Sequence, residues 1–344
     1  MTKLLLPSFF LSLIGFFNLF GIKQSLAISQ LFFVLAGFLA FFIVKKIGRN
    51  FFADNSGLFY WLLVGTLVIT FIVGLEVKGS RRWLDLYLFN FQGSEVFKAF
   101  FILFFAFYLV KDFRLENSMS VFLRSLLYFL LPGLIIFKQP DLGNAAVYFF
   151  IFVTLILFSE MPKKYVLYFC ILLIISLPVG WHFMKNYQKD RIASFLNPHV
   201  DSQGTAYNMT QAIITAGSGK FIGKGLGLGT QSRFYFLPEN HTDFAFSSLV
   251  EQFGFAGGIT VIILYLVIFY LLIMRLFHFY YARDEVDKRK FMYIIGFLSY
   301  FVFQILVNIG MNLGLFPVTG IALPFISYGG SSLVATMIGM ALLP

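Results

Sequence analysis

The sequence predicts an all-α polytopic membrane protein of about ten transmembrane helices, with one large extracytoplasmic loop between helices 7 and 8. Three observations carry this prediction. Hydrophobic residues make up 59% of the chain and charged residues only 12%, more apolar material than one soluble core of 344 residues can hide. Apolar runs near the roughly 20-residue length of a bilayer-spanning helix recur from end to end. Between the seventh and eighth runs lies a polar, glycine-rich stretch, residues 185–243, whose polar groups must face water, a protein cavity or a substrate.

In chain order the runs are 4–22, 25–44, 58–75, 96–110, 121–137, 142–158, 165–184, 244–274, 291–313 and 325–343. Residues 1–29 combine a lysine, an apolar stretch and small residues near Ala27, and with so many later spans they read as a retained first helix rather than a cleaved signal. The fourth and sixth runs are short. Pro132 and Gly133 are expected to break the fifth, and run 244–274 is long enough to tilt or to begin outside the bilayer. The whole of 1–344 is read as a single transmembrane domain, its last span leaving almost no cytoplasmic tail.

The net charge of +10 does not indicate nucleic acid, because the basic residues sit at the ends of apolar runs. On the N-terminal side these include Lys3, Lys45, Lys46, Arg49, Arg124, Lys163, Lys164, Arg275 and the cluster 283–290. The opposite short loops hold fewer, among them Lys23, Arg81, Arg82, Lys98 and Lys138. The bias predicts a multi-pass protein with both termini cytoplasmic and the polar stretch outside. The lone Cys170 excludes an internal disulfide and a cysteine-based metal site.

The loops carry more specific polar chemistry than connection requires. Arg81, Arg82 and Trp83 read equally as an interfacial anchor or as part of a site. Glu95 and Lys98, three apart at a helix start, form either a structural ion pair or an anion-binding element. Asp141, directly after Pro140, is placed to cap the sixth run. Residues 217–232 are rich in glycine, yet no nucleotide-binding loop is present: Ser218 stands where the first glycine belongs, and Gly225 follows Lys224. The stretch suits either an anionic headgroup or close helix packing. Asp243, Ser247 and Glu251, four apart, share one helical face. Asn240 would then cap that helix with Asp243 in its first turn, or Asp243 is an ionised base or metal ligand at the bilayer edge. The four histidines show no metal-ligand spacing, so the reactive groups are expected to be carboxylates.

Several ordered blocks together resemble the SEDS family of polytopic bacterial cell-wall proteins. They are Gly79-Ser80-Arg81-Arg82-Trp83, Ser94-Glu95 with Lys98, Gln139-Pro140-Asp141-Leu142-Gly143 and Asp190-Arg191-Ile192 through Asn197-Pro198. Next come Gly217-Ser218-Gly219, Gly223-Lys224-Gly225, Gly229-Thr230-Gln231-Ser232, Leu237-Pro238-Glu239 and His241-Thr242-Asp243-Phe244, and the last is Pro324-Phe325-Ile326-Ser327-Tyr328-Gly329-Gly330. Pro317-Val318-Thr319-Gly320 looks like the elongation member, since the division paralogue typically has a lysine where Thr319 stands. Gly93, Gln252 and Ala322 depart from the usual residues.

The resemblance implies a peptidoglycan glycosyltransferase that polymerises lipid II outside the cytoplasmic membrane beside a class B penicillin-binding protein and other elongation-complex membrane proteins. It implies Asp243 as the catalytic residue, acting as base or as ligand of a divalent cation, Mg or Mn, and no nucleotide. The residues expected at the substrate are Arg81, Trp83, Glu95, Lys98, Asp141, Arg191, Lys224, Gln231, Glu239, His241 and Glu251. Two other functions share these features: a lipid II flippase, from intramembrane charges and broken helices, and a silent scaffold for the penicillin-binding protein.

Overall fold

The computed structural model describes residues 2–77, 80–86, 90–111, 118–184, 186–196, 205–281 and 283–344. Lys78, Gly79, Arg114, Lys185, Asn197, Pro198 and His199 lie outside the described residues.

The chain is mostly helical. It begins with α1 (Thr2–Ile22), α2 (Gln24–Ile47), α3 (Arg49–Asp54) and α4 (Ser56–Val73). A small antiparallel sheet follows, β1 (Leu75–Val77), β2 (Ser80–Asp85) and β3 (Asn90–Phe91), with Glu76 opposite Arg81 and Leu84 opposite Phe91. Then come α5 (Gly93–Val96), α6 (Lys98–Lys111), α7 (Ser118–Lys138), α8 (Leu142–Phe158) and α9 (Lys164–Phe183). The long polar connection folds into α10 (Asn186–Leu196), α11 (Thr205–Ser218) and α12 (Thr230–Arg233). The chain finishes with α13 (Ala245–Phe279), α14 (Glu285–Asn312) and α15 (Gly330–Ala341).

Among the described residues, six helices are long and apolar enough to cross a membrane: α1, α2, α4, α7, α13 and α14. α6, α8, α9 and α15 supply shorter apolar stretches of 10–17 residues. Large apolar side chains such as Phe32, Leu127, Ile174 and Ile175 point outward, as lipid-facing positions do. This is a multi-pass membrane protein.

Along the spans and the connection after α4, sequence and structure differ in the following places. The segment read as a plain loop after α4 is a hairpin-like sheet, because Leu75-Glu76-Val77 pairs with Ser80 to Trp83 and satisfies backbone groups on leaving the helix. Pro132 does not end its helix, and α7 runs through it to Lys138. The fourth run is split at Phe97, which separates α5 from α6. The last run starts as irregular chain, with Phe325 in the left-handed region at φ 69°, and becomes helical only at Gly330.

Two compact units emerge. The first comprises Met1–Ala36, Lys185–Leu271 and Val302–Leu333; the second comprises Gly37–Met184, Leu272–Phe301 and Val334–Pro344. In the second, α4, α6, α7 and α8 pack together through aromatic side chains. Phe129 stacks on Phe152 with ring centres 4.6 Å apart, and Tyr60 on Phe104 at 4.4 Å. In the first, Met209, Ala212, Leu237, Phe244, Met311 and Val318 form a buried cluster that ties α11 and α14 to the start of α13.

Helix α13 owes its shape to Gly254, whose φ of 71° and ψ of −173° are not helical. The kink frees backbone groups, and the glycine-rich segment 219–225 takes them up. Phe255 N donates to Lys220 O (2.8 Å), Ala256 N to Phe221 O (3.1 Å), Lys224 N to Glu251 O (2.9 Å) and Gly225 N to Gln252 O (3.0 Å). A side chain at Gly254 would collide with the backbone of Phe221, Ile222 and Gly223. Gly254→Ala is therefore expected to destabilise the protein by more than about 1 kcal/mol. A lowered unfolding temperature in detergent would show it, whereas an unchanged one would mean the kink tolerates a Cβ.

Candidate active site

Both units bury polar side chains. In the first, the turn 236–244 delivers Asp243 to the point where the chain enters α13. Asp243 is partly exposed, and residues 244–252 behind it are buried. Its position is fixed through the backbone: Asp243 O accepts from Asn308 Nδ2 (3.1 Å) and from Asn312 Nδ2 (3.0 Å), two asparagines one turn apart on α14. Asn312 Oδ1 also accepts from Ser247 N (2.9 Å) and Ser247 Oγ (2.8 Å), while Asn308 Nδ2 donates to Ile321 O (2.7 Å). Buried amides with so many partners are held rigidly, since any displacement leaves polar groups unpaired.

The expected cap is not formed. Asn240 Nδ2 donates to Ser232 O (2.5 Å), and the Asn240 side-chain oxygen lies 3.1 Å from His241 Nδ1, so Asn240 shapes the turn instead. Asp243 precedes the first turn of α13 rather than lying in it. Glu239, left-handed at φ 52°, closes the same turn by accepting from Thr242 Oγ1 at 2.8 Å. His241 O accepts from Tyr328 N at 2.8 Å.

Gly320 brings the Asp243 carboxylate together with a cation. A Cβ built on this glycine would lie 3.6 Å from Asp243 Oδ2 and 3.9 Å from an Arg191 Nη. Arg191, from α10, and Asp243 therefore meet at one bare stretch of backbone, whose φ of 73° also favours glycine. A carboxylate and a guanidinium that both approach this glycine are suited to taking a proton and to meeting a phosphate oxygen.

Glu251, on α13, is fully buried and surrounded by donors. Lys224 Nζ (2.9 Å), Gln231 N (2.9 Å), Ser232 N (2.9 Å) and Ser232 Oγ (2.7 Å) all reach its carboxylate. It thus binds the glycine-rich segment and α12 to α13. Lys224 also contacts Thr230 Oγ1 at 2.9 Å and remains partly exposed. Gln252 Nε2 donates to Asn18 Oδ1 (2.8 Å) and O (3.0 Å), fastening α1 to the kink.

In the second unit, Lys98 is almost fully buried and lies 2.8 Å from Glu95, 3.0 Å from Asn144 Oδ1 and 5.2 Å from the Tyr300 ring centre. Asp141 caps α8 by accepting from Asn144 N (3.1 Å), and it also accepts from Asn144 Nδ2 (2.9 Å) and Gln92 Nε2 (3.1 Å). Arg82 points inward to Asp141 at 3.7 Å and to the Pro140 carbonyl. Arg81 instead pairs with Glu76 on the exposed face of the sheet, and Trp83 lies opposite Leu75. Sequence reasoning did not single out Asn308, Asn312, Asn144 or Tyr300, and it noted Gly320 only within the block 317–320.

Among the described residues no group of three His, Cys, Asp or Glu side chains is arranged to hold a metal ion. Asp243 offers one carboxylate with a guanidinium nearby, which does not fit a dedicated protein cage for a divalent cation.

Breaking the buried Glu95–Lys98 pair should cost more than removing it whole. Lys98→Ala is expected to destabilise the protein by about 3–5 kcal/mol, and the double variant Glu95→Gln with Lys98→Met by clearly less. Denaturant unfolding in detergent would check this; equal losses would mean that the two charges are not coupled.

Residues 5–344 match the family model described as the FtsW, RodA and SpoVE cell cycle protein. The chain is 34% identical over 329 residues to a probable peptidoglycan glycosyltransferase FtsW of Hydrogenovibrio crunogenus, covering 94% of this chain and 82% of that relative. It is likewise 34% identical over 351 residues to the peptidoglycan glycosyltransferase MrdB of Helicobacter pylori, covering 97% and 87%. A solved chain from a study of how a peptidoglycan synthase complex coordinates polymerization and crosslinking superposes with a TM-score of 0.82 at 27% identity, covering 100% of this chain and 96% of that one. The rod shape determining protein RodA of Thermus thermophilus superposes with a TM-score of 0.70 at 25% identity, covering 99% and 94%. The chain belongs to the FtsW/RodA/SpoVE family, also called SEDS.

Proposed function

We propose that this member of the family, a peptidoglycan glycosyltransferase, polymerises lipid II into β-1,4-linked glycan on the outer face of the cytoplasmic membrane, with Asp243 as its general base. The observation that carries the reading is the meeting of a partly exposed carboxylate and a guanidinium at Gly320, the carboxylate's own backbone being tied down by two buried asparagines.

The donor sugar is α-linked to a lipid pyrophosphate and the product is β-linked, so one in-line displacement with inversion suffices. Asp243 takes the proton of the acceptor 4-hydroxyl as its oxygen bonds to C1 of the donor. The C1–O bond to the pyrophosphate breaks, and the leaving group carries away the electron pair. Arg191 meets the charge that develops there, in surroundings where a fixed cation is worth more than in water. A divalent cation brought by the substrate would be held on the protein side by Asp243 and would supply charge to help the pyrophosphate leave.

The remaining residues take roles that their contacts support. Glu251 is assigned to holding the glycine-rich segment, while Lys224, with its partly exposed ammonium, and Gln231 stay at the substrate side of that segment. Glu239 and His241 shape the turn that presents Asp243. Glu95, Lys98 and Asp141 stiffen the second unit, and Arg81 with Trp83 sits on an exposed sheet suited to the substrate's polar portion.

The membrane arrangement proposed has ten spans, the four shorter apolar helices included, with both termini cytoplasmic; the distribution of Lys and Arg supports it. A role in elongation is supported by Thr319 and by the likeness to MrdB and RodA. The proposed partner is a class B penicillin-binding protein in an elongation complex, supported by the likeness to a chain studied within a synthase complex.

Purified protein with its transpeptidase partner and lipid II tests the chemistry. Asp243→Ala is expected to lower glycan formation by about 10²–10⁴-fold while still binding the partner. Polymer formed at the parental rate would reject the assignment, as would lipid II flipping in sealed vesicles with no polymer made by the parent protein. Adding a chelator to the same assay tests for a shared cation, whose loss should slow the parent.

A further inference from the structure

The second unit contains a cavity that the proposed polymerisation does not use. Its volume is about 410 Å³, and its walls include Asp54 and Ser56 from the α3–α4 corner, Phe104, Phe107 and Tyr108 from α6, and Arg289 from α14. It lies at the helix ends that the charge bias assigns to the cytoplasm, so its sidedness rests on that reading.

Two arginines carry buried N–H groups without acceptors, Arg289 in the cavity wall and Arg49 beside Tyr293. Arg289 Cζ lies 4.8 Å from the Phe107 ring centre, and its Nη2 donates to Glu285 at 3.1 Å. These contacts fix the guanidinium, yet its Nε is buried with no hydrogen-bond partner. One turn along α14, Tyr293 lies beneath Arg49 with the guanidinium carbon 5.8 Å from the ring centre. Arg49 Nε and Nη2 are also buried without a hydrogen-bond partner. Lys45 lies within electrostatic reach of both Arg49 and Arg275, which adds like charge rather than relief.

A ring face satisfies the charge of a guanidinium but accepts nothing from its in-plane N–H groups. Leaving such donors buried and unmet costs about 1–3 kcal/mol each, and more when they are charged. The acceptor that matches a planar N–H fork is an anion with several oxygens. Carboxylates of this chain are near: Glu285 is engaged with Arg289 and Asp54 is exposed at the rim. Neither reaches the unpaired nitrogens.

We infer that this cavity binds a phosphate group, either that of an anionic phospholipid in the adjacent leaflet or that of a soluble phosphate compound. The aromatic wall of Phe104 and Phe107 beside the cations suits the glycerol and acyl portion of a lipid, and basic pockets at helix ends are where acidic headgroups lodge. The site is separate from the glycosyl-transfer chemistry of the first unit, so its failure would leave that assignment standing.

Native mass spectrometry of the full-length protein in detergent tests it, with equimolar phosphatidylglycerol and phosphatidylcholine in one arm and inorganic phosphate in another. The parent is expected to retain phosphatidylglycerol over phosphatidylcholine, and Arg49→Gln or Arg289→Gln to reduce that retention about fivefold each. Asp54→Asn, which removes a repelling charge, is expected to raise it, a gain that damaged folding cannot produce. Phosphate binding that competes with the lipid would identify a soluble ligand. Equal retention of the two lipids with no phosphate bound overturns the inference. So does retention unchanged in folded arginine variants, or no gain in Asp54→Asn should those variants fail to fold.

Discussion

A backbone carbonyl carried to the edge of the hydrocarbon must find its donors within the protein, and the carbonyl of Asp243 finds two, Asn308 and Asn312. Much of the site follows from that pairing. The same asparagines bind Ser247 in the first turn of α13 and Ile321 beyond α14, so three segments distant in sequence are clamped around one aspartate. The Asp243 side chain is left partly exposed, while its main chain has little freedom to move. Gly320 completes the arrangement by having no side chain where the carboxylate and Arg191 approach.

Much of this was legible in the sequence, for physical reasons that differ by element. The long spans declared themselves because a bilayer demands uninterrupted apolar length, and Asp243 and Glu251 stood out because carboxylates among apolar residues need explaining. The clamp was missed because the run 291–313 was read as uniformly apolar. A signal was present: Gln304, Asn308 and Asn312 recur every fourth residue and place one polar stripe along that helix. The kink at Gly254 was missed because one glycine in a long apolar helix usually costs only about 1 kcal/mol and breaks nothing. Its meaning lies in the segment 219–225, more than twenty residues earlier, which supplies the hydrogen bonds that the kink leaves open. The glycine-rich stretch had been left between anion binding and close packing, and its backbone contacts with α13 belong to the second.

The two units use buried charge differently. In the first, the buried carboxylate of Glu251 gathers donors from a loop and a short helix, so it holds backbone that has no regular structure of its own. In the second, Glu95 and Lys98 are each other's partner, with Asn144, Asp141 and Gln92 extending the network across helix starts. Arg49 Nε and Nη2 and Arg289 Nε, in the same unit, are buried N–H groups without an acceptor among the described residues.

The central claim is that Asn308 and Asn312 hold Asp243 at reacting distance, and the steady-state kinetics of Asn312→Ala on lipid II test it most directly. Asn312 lies behind the aspartate and the variant keeps the carboxylate, so kcat should fall by up to roughly a hundredfold while KM changes little. A variant with the parental kcat, or one whose loss lies wholly in KM, would contradict the account.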